Sequence, residues 1–303
     1  MVRVRYSFSS RRTGNLKNIH KQREKYPHLV NEVIEQADII VEVLDARFLP
    51  EMKNFELEEK IKQEGKKLIL VANKADLVNK EELELKIPKE LAGVMFVSCR
   101  VRQGISKLRE KIKILARRAM QEKSSDEDQE TEGFEHQKLR SGEKRDNRIK
   151  VGVIGYPNTG KSSLINILAG TSAAKTSQEP GFTRSLQKIR LTNDIVLLDT
   201  PGVIPESEYS HVKKEAIQKQ TTVGARSYDR VKDPEMVVHY LLQNKDYAKA
   251  IEDFYKIQAN GNSEILIEEL GKQRNMLRKG GEIDGDRTAR IILKDWQKGN
   301  IRF

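Results

Sequence analysis

A glycine-containing segment at residues 155–162 has the composition of a phosphate-binding loop. It reads Gly-Tyr-Pro-Asn-Thr-Gly-Lys-Ser and fits the pattern G-x-x-x-x-G-K-[ST], in which loop amides and a helix N-terminus surround nucleotide phosphates. In this pattern Lys161 reaches the β- and γ-phosphates, and Ser162 gives its hydroxyl to Mg²⁺. The other predicted nucleotide contacts of this segment are Asn158, Thr159, Gly160 and Ser163.

An Asp-Thr-Pro-Gly segment begins at Asp199, 44 residues after Gly155. It follows the apolar run 195–198, where an acidic residue can hold Mg²⁺ through water and the amide of Gly202 can sense the γ-phosphate. Alone, D-x-x-G is a common turn sequence. Paired with the phosphate loop, it predicts a site for nucleotide hydrolysis that uses Lys161 and Gly202.

A third motif, Asn-Lys-Ala-Asp at 73–76, predicts which base the nucleotide carries. The carboxylate of Asp76 can accept hydrogen bonds from the N1–H and 2-amino groups of guanine, and adenine lacks both donors. A buried carboxylate without donors would cost about 1–3 kcal/mol, so the motif favours GTP over ATP. Lys74 would cover the ring, and Ser98 or Cys99 could offer a backbone amide to guanine O6. The alternative for Asn73 to Asp76 is an ordinary turn between a strand and a helix.

The elements that position these motifs alternate between strands and helices. Helical spacing extends from Gly104 to about Lys123, and beyond about Ser210 only amphipathic helices are predicted, at 234–259, 263–277 and 286–298. Strand-like apolar runs occupy 38–45, 67–72, 94–98, 149–154, 186–191 and 195–198. The fold class predicted is α/β, with a six-stranded, mainly parallel sheet and a C-terminal α-helical domain.

The order of the motifs is inverted relative to ordinary GTPases, because Asn73 precedes Gly155 by 155 − 73 = 82 residues. We therefore predict a circularly permuted P-loop GTPase domain. Its two halves would be joined by a flexible linker at 124–148, where apolar periodicity disappears. The predicted organisation is a basic N-terminal arm at 1–30, the GTPase domain at 31–206 and a helical RNA-binding domain at 207–303.

Charge predicts an anionic partner, since the net charge is +11 and the pI about 9.5. Residues 1–30 carry eight Lys or Arg against Glu24 alone, a balance of 8 − 1 = +7, which suits RNA but also an ordinary solvated terminus. No apolar run could span a membrane or act as a signal sequence, so a cytoplasmic location is expected. The single cysteine, Cys99, excludes an internal disulfide and a four-cysteine zinc site. In the tail, the RNA candidates are Lys272, Arg274, Arg278 and Lys279.

The motifs, in this order, resemble the circularly permuted ribosome-assembly GTPases, and particularly the ribosome biogenesis GTPase A (YlqF/RbgA) branch. Asp45-Ala46-Arg47 is similar to that family's D-A-R signature, and Pro-Gly-Phe-Thr at 180–183 to its P-G-x-T switch. The resemblance implies Thr183 as a further Mg²⁺ ligand that takes part in hydrolysis, beside Ser162 and Asp199. It also implies GTP/GDP and Mg²⁺ as cofactors, and ribosomal RNA of a pre-ribosomal subunit as the partner of a monomeric GTPase. The chain lacks the β-barrel or zinc module of small-subunit relatives, which favours the large subunit.

Three residues bear on catalysis. Val203 occupies the position where many signalling GTPases place a glutamine, so slow intrinsic hydrolysis is expected. Asn158 is similar to the asparagine with which K⁺-activated GTPases hold a cation, although it could instead only shape the loop. His20 lies near the position of a histidine proposed to act in the branch, but its spacing and neighbours differ, so a solvated or packed histidine is the default interpretation.

Overall fold

The computed structural model describes residues 28–79, 81, 83, 87–130, 147–170, 187–202, 204 and 214–302. These residues form one six-stranded sheet with the order β3-β2-β1-β4-β6-β5, in which only β5 is antiparallel to its neighbour. The predicted mainly parallel α/β fold is confirmed. The strands are β1 (Ile39–Asp45), β2 (Lys67–Asn73), β3 (Met95–Phe96), β4 (Ile149–Ile154), β5 (Gln187–Arg190) and β6 (Ile195–Asp199).

Helices cover both faces of the sheet and continue into the C-terminal region. The α-helices are α1 (28–36), α2 (Leu49–Met52), α3 (Phe55–Gln63), α4 (Ile105–Glu130), α5 (Lys161–Ala169), α6 (Lys214–Thr222), α7 (Pro234–Leu242), α8 (Lys245–Tyr255), α9 (Ser263–Gln273) and α10 (Gly285–Lys298). Single 3-10 turns lie at Ala46–Phe48, Ala75–Leu77, Lys89–Leu91 and Tyr228–Arg230.

The central strands are apolar on both faces because helices cover both faces. All seven residues of β1 are buried. The side chains of α1 and α3 pack on one face of the sheet, and those of α4 and α5 pack on the other. Strand β1 pairs in parallel with both β2 and β4, so it joins the half of the sheet that precedes residues 124–148 to the half that follows them. The carboxyl ends of strands from both halves therefore meet at one edge.

Several element boundaries differ from the predictions; β3 is shorter than the predicted 94–98, and the helix predicted at 263–277 ends at Gln273. Helix α4 continues to Glu130 instead of ending near Lys123; the added segment Ser-Ser-Asp-Glu-Asp-Gln-Glu has no apolar stripe, but its Glu and Gln residues form helices well. Helix α1 already includes residues 28–30 of the predicted arm, and Val30 is buried. The predicted helix 234–259 is two helices, since the side chain of Asn244 caps a new N-terminus by accepting from the amides of Asp246 and Tyr247. Residues 131–146 of the predicted linker lie outside the described residues.

The C-terminal helices share an apolar core with the carboxyl edge of the sheet. Trp296 of α10 is fully buried, with its ring centroid 5.8 Å from that of Phe48 and 4.9 Å from that of Tyr247. Its indole N–H donates to the carbonyl of Thr222 at 2.9 Å. The helical tail was predicted as a separate domain; its apolar core includes Leu44 of β1 and Ala72 of β2.

A buried carboxyl group lies in the middle of β1. Glu42 is 1% exposed, and one of its carboxyl oxygens has no hydrogen-bond partner among the described residues. Burial, reinforced by Glu58, raises the pKa of Glu42 to about 8, although Lys53 and the backbone amide of Asn54 act in the opposite direction. The folded protein therefore holds a proton on this carboxyl at neutral pH.

We expect replacement of Glu42 by glutamine to remove a pH dependence of stability. The folded state binds this proton more tightly than the unfolded chain, so the free energy of unfolding should fall as pH rises from about 5 to about 8, by a few kcal/mol at most. Urea unfolding between pH 5 and 8.5 should show this fall in the wild type and a flatter profile in Glu42→Gln. Glu56→Gln, an exposed change of the same kind on α3, should keep the wild-type slope.

Candidate functional site

Four strands of the sheet deliver the predicted functional residues to one edge. Asn73 ends β2, Ser98 follows β3, the loop from Gly155 follows β4, and Asp199 ends β6. The carboxyl edge of a parallel sheet is the usual position of a ligand site in α/β proteins. The structure thus brings together motifs that are far apart in sequence.

Two glycines allow the loop between β4 and α5 to lie close to its neighbours. Gly155 has φ +138° and Gly160 has φ +94°, backbone conformations that side chains disfavour. A Cβ atom on Gly155 would lie 2.3 Å from the carbonyl oxygen of Val43, and one on Gly160 would lie 2.3 Å from the side-chain nitrogen of Asn73. The loop conformation therefore requires glycine at both positions.

Lys161, at the start of α5, is folded back into the loop. Its ammonium donates to the carbonyls of Gly155 at 3.0 Å and Tyr156 at 2.7 Å. Burial lowers the pKa of Lys161 to about 8, while Asp199 acts in the opposite direction. A bound polyphosphate would place negative charge beside the ammonium and raise that pKa again.

Nucleotide affinity is therefore expected to decrease above about pH 8, because the binding-competent ammonium loses its proton there. Between pH 7 and 9 the Kd for GDP should rise by about tenfold. Calorimetry at pH 8 in buffers of different ionisation enthalpy should report uptake of about half a proton on binding. If the affinity for GDP stays constant to pH 9 while the protein remains folded, the assignment of Lys161 as a phosphate-binding ammonium with a lowered pKa is contradicted.

Ser162 and Asp199 form the pair predicted to hold Mg²⁺. The Ser162 hydroxyl donates to one carboxylate oxygen of Asp199 at 2.9 Å, and the other oxygen is buried without a hydrogen-bond partner among the described residues. Burial also raises the pKa of Asp199. An orphaned carboxylate oxygen beside a hydroxyl is a donor set that suits a hard divalent cation, so the residues fit Mg²⁺. Thr183, the predicted further ligand, lies outside the described residues.

Asn73 connects the guanine motif to the phosphate loop. Its amide nitrogen donates to the carbonyl of Thr159 at 2.7 Å, and its amide oxygen accepts from the backbone N–H of Cys99 at 3.2 Å. Both ends of the buried side chain are thus occupied by protein. The Cys99 amide that the sequence offered to guanine O6 is bonded to Asn73 in this structure, and its contact with the base stays a prediction. Burial raises the pKa of the Cys99 thiol to about 11, so it stays protonated at neutral pH.

Asp76 is held in place by Ser98. The Ser98 hydroxyl donates to the Asp76 carboxylate at 2.6 Å and accepts from the backbone amide of Val101 at 3.2 Å. Ser98 is fully buried, whereas Asp76 is partly exposed and remains accessible for a ligand. The structure therefore gives Ser98 the role of orienting the carboxylate that would read the base.

A buried ion-pair network lies behind the guanine motif, and sequence reasoning did not assign it. The carboxylate of Asp45 is fully buried and pairs with Arg47 at 2.8 Å and with Lys74 at 2.7 Å. Arg47 also donates to the carbonyl of Trp296 in α10 at 2.9 Å. Lys74 has φ +62°, an uncommon conformation outside glycine. The available signal was an Asp and an Arg at the end of a buried strand, noted only as part of the D-A-R signature.

Asn158 and Gly202 link the phosphate loop to neighbouring segments. Asn158 has φ +61°, and its side-chain nitrogen donates to the carbonyl of Gly224 in the tail at 3.0 Å. A Cβ on Gly202 would lie 2.5 Å from Pro157, so glycine allows this close approach. The remaining predicted loop residues, Thr159 and Ser163, lie beside Gly160 and in the first turn of α5.

The tail cations predicted to contact RNA are exposed, but three of the four have partners within the tail. Lys272 pairs with Glu268 and Glu269, Arg278 pairs with Asp284, and Arg274 lies 5.3 Å from the ring centroid of Tyr255. Lys279 is exposed. The remaining predicted functional positions, His20, Val203 and most of the basic arm, lie outside the described residues.

Comparison with known proteins finds GTP-binding proteins that are similar to most of this chain. A family model described as 50S ribosome-binding GTPase matches residues 150–269. An uncharacterized GTP-binding protein of Methanocaldococcus jannaschii is 37% identical over 281 residues, which cover 91% of this chain and 65% of that protein. The guanine nucleotide-binding protein-like NSN1 of Arabidopsis thaliana is 32% identical over 296 residues, covering 94% of this chain and 48% of its own length.

Among solved structures, GNP-bound YlqF from T. maritima has the same fold. The TM-score is 0.59 at 19% identity, and the match covers 92% of this chain and 95% of that one. Against the sequence relatives, the chain spans about two thirds of the archaeal protein and about half of the plant protein. Within the described part of the chain, no helix combines the length and apolar character needed to cross a membrane.

Proposed function

Because the chain belongs to the circularly permuted, YlqF-like class of GTP-binding proteins, we propose that it hydrolyses GTP as a ribosome assembly factor. Its partner in this proposal is the large ribosomal subunit or a precursor of it, contacted through ribosomal RNA. The matching family model is described as a 50S ribosome-binding GTPase, and the net charge of +11 suits an RNA partner.

The observation that carries the GTP assignment is the Asn73 side chain. It holds a motif with a base-reading carboxylate against a phosphate-binding loop that lies 86 residues further along the chain. A ligand that fills both halves must carry a guanine-like donor pair at one end and phosphates at the other. Guanosine di- and triphosphate have this combination.

For hydrolysis we assign roles to the residues around the phosphates. Lys161 would bind the β- and γ-phosphates, and the amide of Gly202 would contact the γ-phosphate. Ser162, Asp199 and Thr183 would hold Mg²⁺, which offsets phosphate charge when bound. Val203 offers no hydrogen bond to a water, so the intrinsic rate would be slow and an external group from the ribosomal particle would be needed to raise it.

Phosphate release measured with and without purified large ribosomal subunits tests this function. The expected result is slow turnover by the protein alone and a clear stimulation by large subunits, absent with small subunits. Lys161→Ala should abolish both rates. Stimulation by small subunits alone would overturn the choice of subunit.

A second function remains open, in which GTP only switches an RNA-binding conformation and little hydrolysis occurs. The absence of a glutamine at Val203 favours it. GTP-dependent binding to large subunits without stimulated hydrolysis would support this alternative. A third reading, a signalling GTPase with protein effectors, predicts no RNA crosslinks.

Asn158 leads to a prediction about monovalent cations. If its side chain helps to hold K⁺ between the phosphates, GTP hydrolysis should be several-fold faster in KCl than in NaCl, and Asn158→Ala should remove the difference. In the structure Asn158 bonds Gly224, which is the behaviour of a residue that shapes the loop. Equal hydrolysis rates in both salts would mean that Asn158 only shapes the phosphate loop.

A further inference from the structure

Helix α4 and the loop before it carry a row of cations that the nucleotide site does not use. From Arg100 to Arg118 the sequence has eight Lys or Arg against Glu110 alone, a balance of 8 − 1 = +7 that equals that of the N-terminal arm. Arg109 is used structurally, since it donates to the carbonyls of Ile167 and Leu168. The other seven are exposed and form what we call the basic face of α4: Arg100, Arg102, Lys107, Lys111, Lys113, Arg117 and Arg118.

The packing of α4 fixes the direction of these cations. Ile105, Leu108, Ile112 and Ala116 are buried against the sheet, so the opposite side of the helix must face solvent. At about 100° per residue, Lys107, Lys111 and Arg118 lie within about 40° of one another and extend over about 17 Å of helix. They form a positive stripe, in which the exposed Ile114 lies between Lys111 and Arg118.

The stripe is electrostatically unfavourable for the helix itself. Lys107 and Lys111, like Lys113 and Arg117, are like charges four residues apart, which repel. The first turn contains no acidic residue, and Lys107 lies close to the positive end of the helix dipole. Within the described residues, none of the seven cations forms an ion pair with an acidic side chain. A solvated helix face usually mixes both signs, whereas from Arg100 to Arg118 Glu110 is the one acidic side chain.

The helical tail shows the opposite pattern. Residues 206–303 hold 18 basic and 16 acidic side chains, a balance of 18 − 16 = +2. Lys272, Arg278 and Arg290 each pair with a nearby acid. Net positive charge is thus much denser along residues 100–118, with +7, than along residues 206–303, with +2.

We infer that the basic face of α4 binds the phosphate backbone of RNA, and this inference rests on the proposed function. A 17 Å stripe of long cationic side chains can contact several successive phosphates, and Arg118 at its end, like Arg100 and Arg102 in the preceding loop, can do so with two hydrogen bonds. An anionic membrane is a poorer match, because Val101 and Ile114 are the only large apolar side chains exposed along residues 100–118. The loop with Arg100 and Arg102 also carries Ser98, so RNA here would lie beside the base-reading motif.

The test compares two variants with the same change in charge. One replaces Lys107, Lys111 and Arg118 by glutamine, and the control replaces Lys272, Arg278 and Lys279 by glutamine. Binding to purified large ribosomal subunits and to a single-stranded poly(U) oligonucleotide is measured from 50 to 300 mM KCl. GDP affinity and thermal unfolding confirm the fold of each variant.

We expect the α4 variant to bind both RNA probes at least about tenfold more weakly and to lower the salt slope by two to three, about one per lost phosphate contact. The control should lose much less affinity for the two RNA probes, and both variants should bind GDP like the wild type. If the triple variant does not fold, Lys111→Gln alone should lower the slope by about one.

Undiminished RNA binding by the α4 variant, while the wild type binds large subunits, overturns the inference and leaves the proposed function intact. Polyglutamate and anionic vesicles are measured as two further probes; a defect of the α4 variant confined to either of them also overturns the inference, since the partner would then be an acidic protein or a membrane. A wild type that binds neither RNA probe instead contradicts the proposed function.

Discussion

Replacing Arg47 by methionine is expected to destabilise the protein by about 3 kcal/mol or more, because the change leaves a fully buried carboxylate with one cationic partner instead of two. Methionine keeps most of the side-chain volume, so the loss is chiefly electrostatic. The change also leaves the carbonyl of Trp296 without the Arg47 donor. Urea unfolding at pH 7 measures the effect.

Controls separate this loss from a general effect of removing an arginine. Arg117→Met removes an exposed arginine and should change stability by less than about 0.5 kcal/mol. Arg47→Lys keeps the charge but loses the two-pronged bond, and should recover only part of the stability. If Arg47→Met is as stable as the wild type, Lys74 alone is sufficient to balance the buried negative charge of Asp45.

The pH dependence of the same variant has a defined sign. Burial alone would raise the pKa of Asp45, but Arg47 and Lys74 hold that pKa well below its usual range. The unfolded chain therefore binds this proton more readily, and the stability from the ion pairs is present above about pH 4 and lost on acidification. The difference in the free energy of unfolding between the wild type and Arg47→Met should accordingly become smaller below pH 4.

The sequence was sufficient where the evidence is local. The phosphate loop, the six strands and the base motif each occupy a short run with its own pattern, and the parallel sheet follows from their alternation. Because the carboxyl ends of parallel strands share an edge, even the meeting of Asn73 with the phosphate loop region could be anticipated in outline.

The sequence was insufficient for contacts between residues that are far apart in the chain, and for the orientation and the end of α4. The bond between Arg47 and the carbonyl of Trp296 joins residues 249 positions apart, and nothing local to either residue indicates it. On α4, the apolar stripe predicted the helix, but its register against the sheet decides that the cations face outward. The end of α4 was placed too early because lost apolar periodicity was taken as lost helix.

Changing Asp76 to asparagine is expected to weaken GDP binding by about 100-fold. The Asp76 carboxylate would accept two hydrogen bonds from guanine, and replacing it by an amide should cost about 3 kcal/mol of binding free energy. The asparagine amide would place N–H donors against the 2-amino group of guanine. Xanthosine diphosphate has a carbonyl at that position, so its affinity should rise. Competition binding with GDP, XDP and ADP measures all three.

Two further variants show whether the loss comes from the base contact. Ser98→Ala removes the hydroxyl that orients Asp76 and should weaken GDP binding by about tenfold without favouring xanthine, because the carboxylate itself remains. Asp246→Asn, the same chemical change at an exposed position on α8, should have no effect. If Asp76→Asn still prefers GDP to XDP as strongly as the wild type, the base is read elsewhere, and the guanine assignment at residues 73–76 is wrong. Because Asn73 keeps its bonds to Thr159 and Cys99 in the Asp76 variant, the phosphate loop should stay in place and any loss should be specific to the base.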